Sequence, residues 1–161
     1  MNQATVRQDW EYGREIGLPF TLRLESGRKL VCAKLLRCLP GRRLVCKAYL
    51  DHEPVLMKLF LDSQMEQEMA ADSAGVEGLV AAHVRTPDLL ARDRVAGKGY
   101  PLLLFEYLPD TSSFRGAWES AQAPRQSALI ADLLRMVASQ HQAGLRQRDF
   151  HLRNFLLDGR G

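Results

Sequence analysis

The feature that most constrains the fold is the punctuation of residues 20–61. Apolar and β-branched segments of strand length are cut at short intervals by turn formers: Ser26-Gly27, Pro40-Gly41 and Asp51-His52-Glu53. Segments 20–25, 30–39, 42–50 and 54–61 therefore read as successive antiparallel strands. From 63 to about 83 the residues favour helix, with Met65, Met69, Val76, Leu79 and Val80 as its apolar side, Ser63 as its cap, and Gly75 and Gly78 as its weak points. Thr86-Pro87 ends that helix, and 89–95 and 100–108 read as strands about the turn Gly97-Lys98-Gly99. This stretch is expected to form a five-stranded antiparallel sheet with one helix.

Pro109 to Ser113 have linker composition, and 124–143 form an amphipathic helix closed by Gly144. The chain thus divides into a leader over 1–19 with a helical turn at 10–14, a first lobe over 20–108, and a partial helical lobe over 109–161. The expected class is α+β, without internal repeats.

Hydrophobic residues make up 46% and charged residues 25% of the 161, an ordinary globular balance that argues against disorder or a fibrous repeat. The net charge is +3, with basic residues gathered early: Arg28, Lys29, Lys34, Arg37, Arg42, Arg43 and Lys47. They read first as the solvated face of a sheet and second as a surface for an anionic ligand or membrane. Aromatic-interleaved basic faces are missing, which disfavours nucleic acid. Cys32, Cys38 and Cys46 form no CxxC pair and read as reduced packing residues of a cytoplasmic protein, with no zinc assigned. Residues 1–10 lack an apolar signal core, and no run reaches a membrane span, so any membrane contact is expected to be peripheral.

Lys58 stands alone in the apolar strand Val55-Leu56-Met57-Lys58-Leu59-Phe60, where its ammonium needs a carboxylate or a phosphate. Glu77, and after it Glu68, are the candidate partners on the following helix. Leu102 to Leu108 run apolar and then polar, as a core strand does, or as a hinge whose backbone at Glu106 and Leu108 bonds a nucleobase, with Phe105 behind it. Pro40-Gly41-Arg42-Arg43 is either a simple hairpin turn or a reduced phosphate loop in which Gly41 admits a ligand and an arginine supplies charge. Asp149 and Asn154, five residues apart before the apolar run 155–157, have the layout of a phosphotransferase catalytic loop. A turn or capping aspartate is the plainer reading of Asp149 alone. The order of strand lysine, acidic helix, hinge strand and Asp/Asn loop outweighs it.

With these residues in place the chain resembles the protein-kinase-like superfamily, and within it the lipopolysaccharide core kinases of the Kdo/WaaP family. The resemblance runs from about Phe20 to Leu157 and rests on residues 36–45, 55–60, 84–87 and 141–157. It implies a two-lobed kinase fold, ATP with Mg2+ as cosubstrate, and phosphorylation of a sugar hydroxyl of the lipopolysaccharide inner core at the cytoplasmic face of the inner membrane. It further implies that Lys58 contacts the nonreacting phosphates, Glu77 orients Lys58, Asp149 is the catalytic base, Asn154 binds magnesium and His151 neutralises the transferring phosphate. The sequence departs from the kinase pattern in having no full glycine-rich loop and in placing Gln147 where a His is usual. It also ends before the second metal-binding Asp, so activity of the chain by itself is not expected. A protein or small-molecule kinase, or an inactive pseudokinase-like binding module, are the alternatives.

Overall fold

The computed structural model describes residues 16–146 and 150–158. The helical turn expected at 10–14 lies outside the described residues. Two compact units are formed, Met1–Val76 with Pro87–Tyr107, and Glu77–Thr86 with Leu108–Gly161.

The first unit is built on hairpins. Strands β1 (Phe20–Arg23), β2 (Lys29–Leu39), β3 (Arg43–Leu50) and β4 (Glu53–Phe60) follow one another, then helix α1 (Met65–Ala81), β5 (Leu89–Arg94) and β6 (Pro101–Glu106). All pairings are antiparallel, in the order β1-β2-β3-β4-β6-β5. The β3–β4 link is a two-residue turn in which Asp51 (φ 51°) and His52 (φ 74°) are both left-handed, the geometry that matches the twist of a hairpin.

The sheet has six strands where five were expected. Phe20 pairs with Cys32 and Leu22 with Leu30, so β1 belongs to the same sheet. Its far end also reaches β5: Leu24 bridges Val95, the Glu25 N–H donates to the Arg94 carbonyl at 2.9 Å, and the Ala96 N–H to the Arg23 carbonyl at 2.8 Å. The edges meet, and the sheet curls around its own core.

Strand alternation decides what fills that core. On β3, Leu44, Cys46, Ala48 and Leu50 are buried and their neighbours half-buried; on β4, Val55, Met57 and Leu59 point the same way. Leu30, Leu102, Leu104 and Cys32 complete the interior, with the Cys32 thiol 3.7 Å from the Met57 sulfur. The side-chain hydrogen bond with Cys46, together with burial, raises the Cys32 pKa, which keeps it a thiol.

The opposite face of the sheet holds Leu56, Phe60, Leu103 and Phe105, against which Met65, Met69 and Val76 of α1 pack. Val80, expected on this apolar side, is 54% exposed. The helix runs unbroken through Gly75 and Gly78. Its entry is organised by Asp62, whose carboxylate accepts the Gln64 N–H at 2.9 Å, rather than by Ser63.

The second unit contains β7 (Thr111–Ser113), α2 (Phe114–Ser120), α3 (Ala123–Gln142), a 3-10 turn at Leu152–Asn154 and β8 (Leu156–Asp158). Ser113 caps α2 by accepting the Gly116 N–H. Phe114, Leu129, Leu133 and Phe155 form its core. The strand at 156–158 pairs with β7, from earlier in the chain.

Candidate functional site

Lys58 is placed by the alternation of β4. With Val55, Met57 and Leu59 turned into the core, Lys58 must share the other face with Leu56 and Phe60, under α1. Its Nζ lies 3.3 Å from Asp72 Oδ2 and 5.0 Å from the centroid of the Phe105 ring. Both partners are about three-quarters buried, at 29% and 26% side-chain exposure, so the pair is more strongly coupled than a surface salt bridge. The carboxylate that meets Lys58 is therefore Asp72, fourteen residues on, where Glu77 and then Glu68 were expected. Glu77 lies exposed on the part of α1 that belongs to the second unit.

Glu68 has other partners. Arg43 donates to its Oε2 at 2.9 Å and Arg42 to its Oε1. The Arg43 guanidinium holds the Glu68 carboxyl below its ordinary range, and Arg42 adds to the effect. Arg43 also stands 3.5 Å from Asp72 and 5.0 Å over the Phe60 ring, while Arg42 bonds Asp62 at 3.2 Å. Farther along, Arg94 pairs with Glu66 and Arg92 donates to the buried Ser73 hydroxyl at 2.8 Å. The N-terminal half of α1 is thus bound to the sheet by arginines and Lys58 on the carboxylate side, and by methionines on the apolar side.

The same contacts define the 40–43 turn, for which a simple hairpin turn and a reduced phosphate loop were the two readings. Gly41 adopts φ +68°, which the tight turn requires, and nothing lies within 4 Å of where a Cβ would stand. The Arg42 N–H is spent on the Leu39 carbonyl at 3.0 Å, the Arg42 carbonyl accepts the Leu61 N–H at 2.8 Å, and both arginines are occupied by helix carboxylates. The turn is a fastened hairpin.

At the expected hinge, residues 101–105 are buried and Glu106 is exposed. The Glu106 N–H donates to the Asp88 carbonyl at 2.8 Å. In the second unit the Leu108 carbonyl accepts the Thr111 hydroxyl at 3.1 Å.

Asp149 lies outside the described residues, with Gln147 and Arg148. The residues that follow are held by Phe155, which is buried among Phe114, Leu129 and Leu133, carries the Phe150 ring at 5.1 Å, and accepts the Phe114 N–H through its carbonyl. From that anchor the 3-10 turn presents His151 and Asn154, both exposed, with the Asn154 N–H bonded to the His151 carbonyl at 2.8 Å. Asp158 of β8 is paired with Arg85. Among the described residues no three His, Cys, Asp or Glu side chains stand together as a metal cage, and no helix is long and apolar enough to cross a membrane.

The backbone is similar to the solved structure of vaccinia related kinase 3, with a TM-score of 0.59 at 14% sequence identity. The fold is protein-kinase-like. The match covers 98% of this chain and 52% of that kinase, so the chain spans about half the length of its kinase neighbour. No family model and no curated protein matches the sequence.

Proposed function

We propose that this chain carries the nucleotide-gripping and catalytic-loop parts of an ATP-dependent phosphotransferase. The observation that supports it best is the Lys58–Asp72 pair within a protein-kinase-like fold: a strand lysine held by a helix carboxylate over an aromatic floor. Phosphoryl transfer depends on positioning and charge neutralisation more than on covalent chemistry. In this reading Lys58 grips the nonreacting phosphates, Asp72 orients it, the Glu106 carbonyl meets the base edge, Asp149 accepts the proton of the attacking hydroxyl, and His151 steadies the transferring group. Asn154 offers one amide oxygen to magnesium, the ion that would neutralise the phosphates.

The acceptor we propose is a sugar hydroxyl of the lipopolysaccharide inner core, supported by the sequence resemblance at residues 36–45 and 141–157. A substrate of that kind would bring the protein to the cytoplasmic face of the inner membrane.

A thermal-shift titration with ATP and magnesium tests the nucleotide reading. Binding to the folded state at about a hundred times Kd adds roughly 2.7 kcal/mol. A saturable rise in Tm, lost in Lys58→Ala, is expected; a folded protein that shows no rise overturns the proposal. Transfer of labelled phosphate from ATP to dephosphorylated inner-core oligosaccharide, and not to protein acceptors, tests the acceptor.

A further inference from the structure

Strand β2 contains two register irregularities, one between Cys32 and Lys34 and one between Leu35 and Arg37. Each passes a residue, Ala33 and Leu36, out of the pairing. Lys34 then faces Lys47, and Arg37 faces Val45. In a regular strand two residues three apart project to opposite faces, so the bulges bring Lys34 and Arg37 to the same one. That face is the Lys58 face, because Val45 lies opposite Lys58 on the next strand. Meanwhile Cys32, Leu35 and Cys38 keep their places against the core.

Five cations therefore share one face of three neighbouring strands: Lys34, Arg37, Arg43, Lys47 and Lys58. Arg43 and Lys58 are matched by Glu68 and Asp72. Among the described residues, Lys34, Arg37 and Lys47 pair with no carboxylate. Lys47 is half-buried, its Nζ 4.5 Å from the Tyr107 ring centroid and 5.6 Å from that of Tyr49. Ring faces offset only part of the cost of desolvating an ammonium, and Lys34 directly across the strand adds like-charge repulsion.

We propose that Lys34, Arg37 and Lys47 form a binding surface for clustered phosphate groups. The backbone of the 40–43 turn has its Arg42 N–H committed and its arginines occupied, so beyond Lys58 anion recognition on this face falls to side chains of β2 and β3. A guanidinium beside a pair of ammonium groups suits neighbouring phosphates better than a single carboxylate. The proposal deepens the phosphotransferase reading and rests on it for where the phosphates come from: the triphosphate of the nucleotide, or a phosphorylated acceptor.

The test is calorimetric titration of the whole chain with inorganic tripolyphosphate, for wild type, Lys34→Ala/Arg37→Ala, Lys47→Met, and the charge-matched control Lys98→Ala/Arg125→Ala. Lys34 and Arg37 are exposed, so the double variant keeps the core intact, which its Tm verifies. Kd should rise about three- to tenfold in the double variant, as expected for losing two exposed charge contacts, and stay unchanged in the control. Wild-type affinity in the double variant, or an equal loss in the control, overturns the site. Competition by ATP assigns the phosphates to the nucleotide, and simultaneous binding assigns them to the acceptor; both support the site. Loss of tripolyphosphate binding in the double variant, in a folded protein whose Tm is not raised by ATP with magnesium, sinks the phosphotransferase reading and leaves this surface standing. An ATP-dependent rise in Tm with an unaltered Kd does the reverse.

Discussion

At Lys58 the counter-charge is selected by the phase of α1 against the sheet. Met65, Met69 and Val76 settle on Phe60, Leu103 and Phe105, and that rotation carries Asp72, one turn beyond Glu68, to the lysine. Asp72→Ala is accordingly expected to abolish the ATP-dependent rise in Tm as fully as Lys58→Ala, while Glu77→Gln retains it. Without ligand, Asp72→Ala should also destabilise the fold by about 1–2 kcal/mol, between the effects typical of exposed and buried pairs. Chain separation alone pointed to Glu77, because it carries no information on helix phase; the lysine itself was legible as a lone charge in an apolar strand. Lys34 and Arg37 were legible only as members of a basic region, since their common face depends on bulges that no alternation pattern announces. Glu68 carries a pH signature. Its pKa is lower in the folded chain than in the unfolded one, so the unfolded chain binds more protons in the acid range and stability there rises with pH. The contribution is complete above the ordinary carboxylate pKa of about 4.3 and is lost as pH falls through the folded value. A Glu68→Gln variant should show a shallower fall in Tm over that range than wild type; parallel curves would exclude the contribution.

Among the elements, the hairpins were readable because each turn is forced by local chemistry. Asp51-His52 takes a left-handed pair, Gly41 and Gly97 take positive φ, and the strands between have one core side and one solvent or helix side. The partner of β8 was not readable, because Ser112 and Ser113 have the composition of a linker and become a strand only through pairing with Leu157 and Leu156. The glycines of α1 also differ in a way that sequence hides. A Cβ at Gly75 would meet nothing within 4 Å, whereas one at Gly78 would stand 2.9 Å from a Leu145 methyl. Gly75→Ala should stabilise the protein by about 0.5–1 kcal/mol through helix propensity. Gly78→Ala gains the same term but must displace Leu145, so a smaller gain or a net loss is expected. Urea melts of the two variants decide the comparison, and an equal gain at both positions would show that Leu145 moves aside at no cost.

For the whole molecule, the closure of the first unit's sheet sets where its stability resides. Leu24 is 1% exposed at the junction of β1 with the chain after β5, so Leu24→Ala both opens a cavity and weakens the seam. A loss of about 2–5 kcal/mol is expected, together with faster amide exchange at Glu25 and Ala96, which donate to backbone carbonyls across the seam. Exchange that accelerates elsewhere but not at these amides would mean that the seam does not depend on Leu24. Segment 20–25 was legible as a strand through its local pairing with β2, but the remote contact of its far end with Val95 was not, and only that contact turns a sheet into a ring. That arrangement has a consequence for biosynthesis. The strand that opens the ring leaves the ribosome roughly seventy residues ahead of the segment that shuts it, a separation that slows closure. Through that interval the nascent chain carries an unpaired β1 flank, the kind of edge on which a second chain can dock, so the protein is most exposed to aggregation before its own fifth strand has been made.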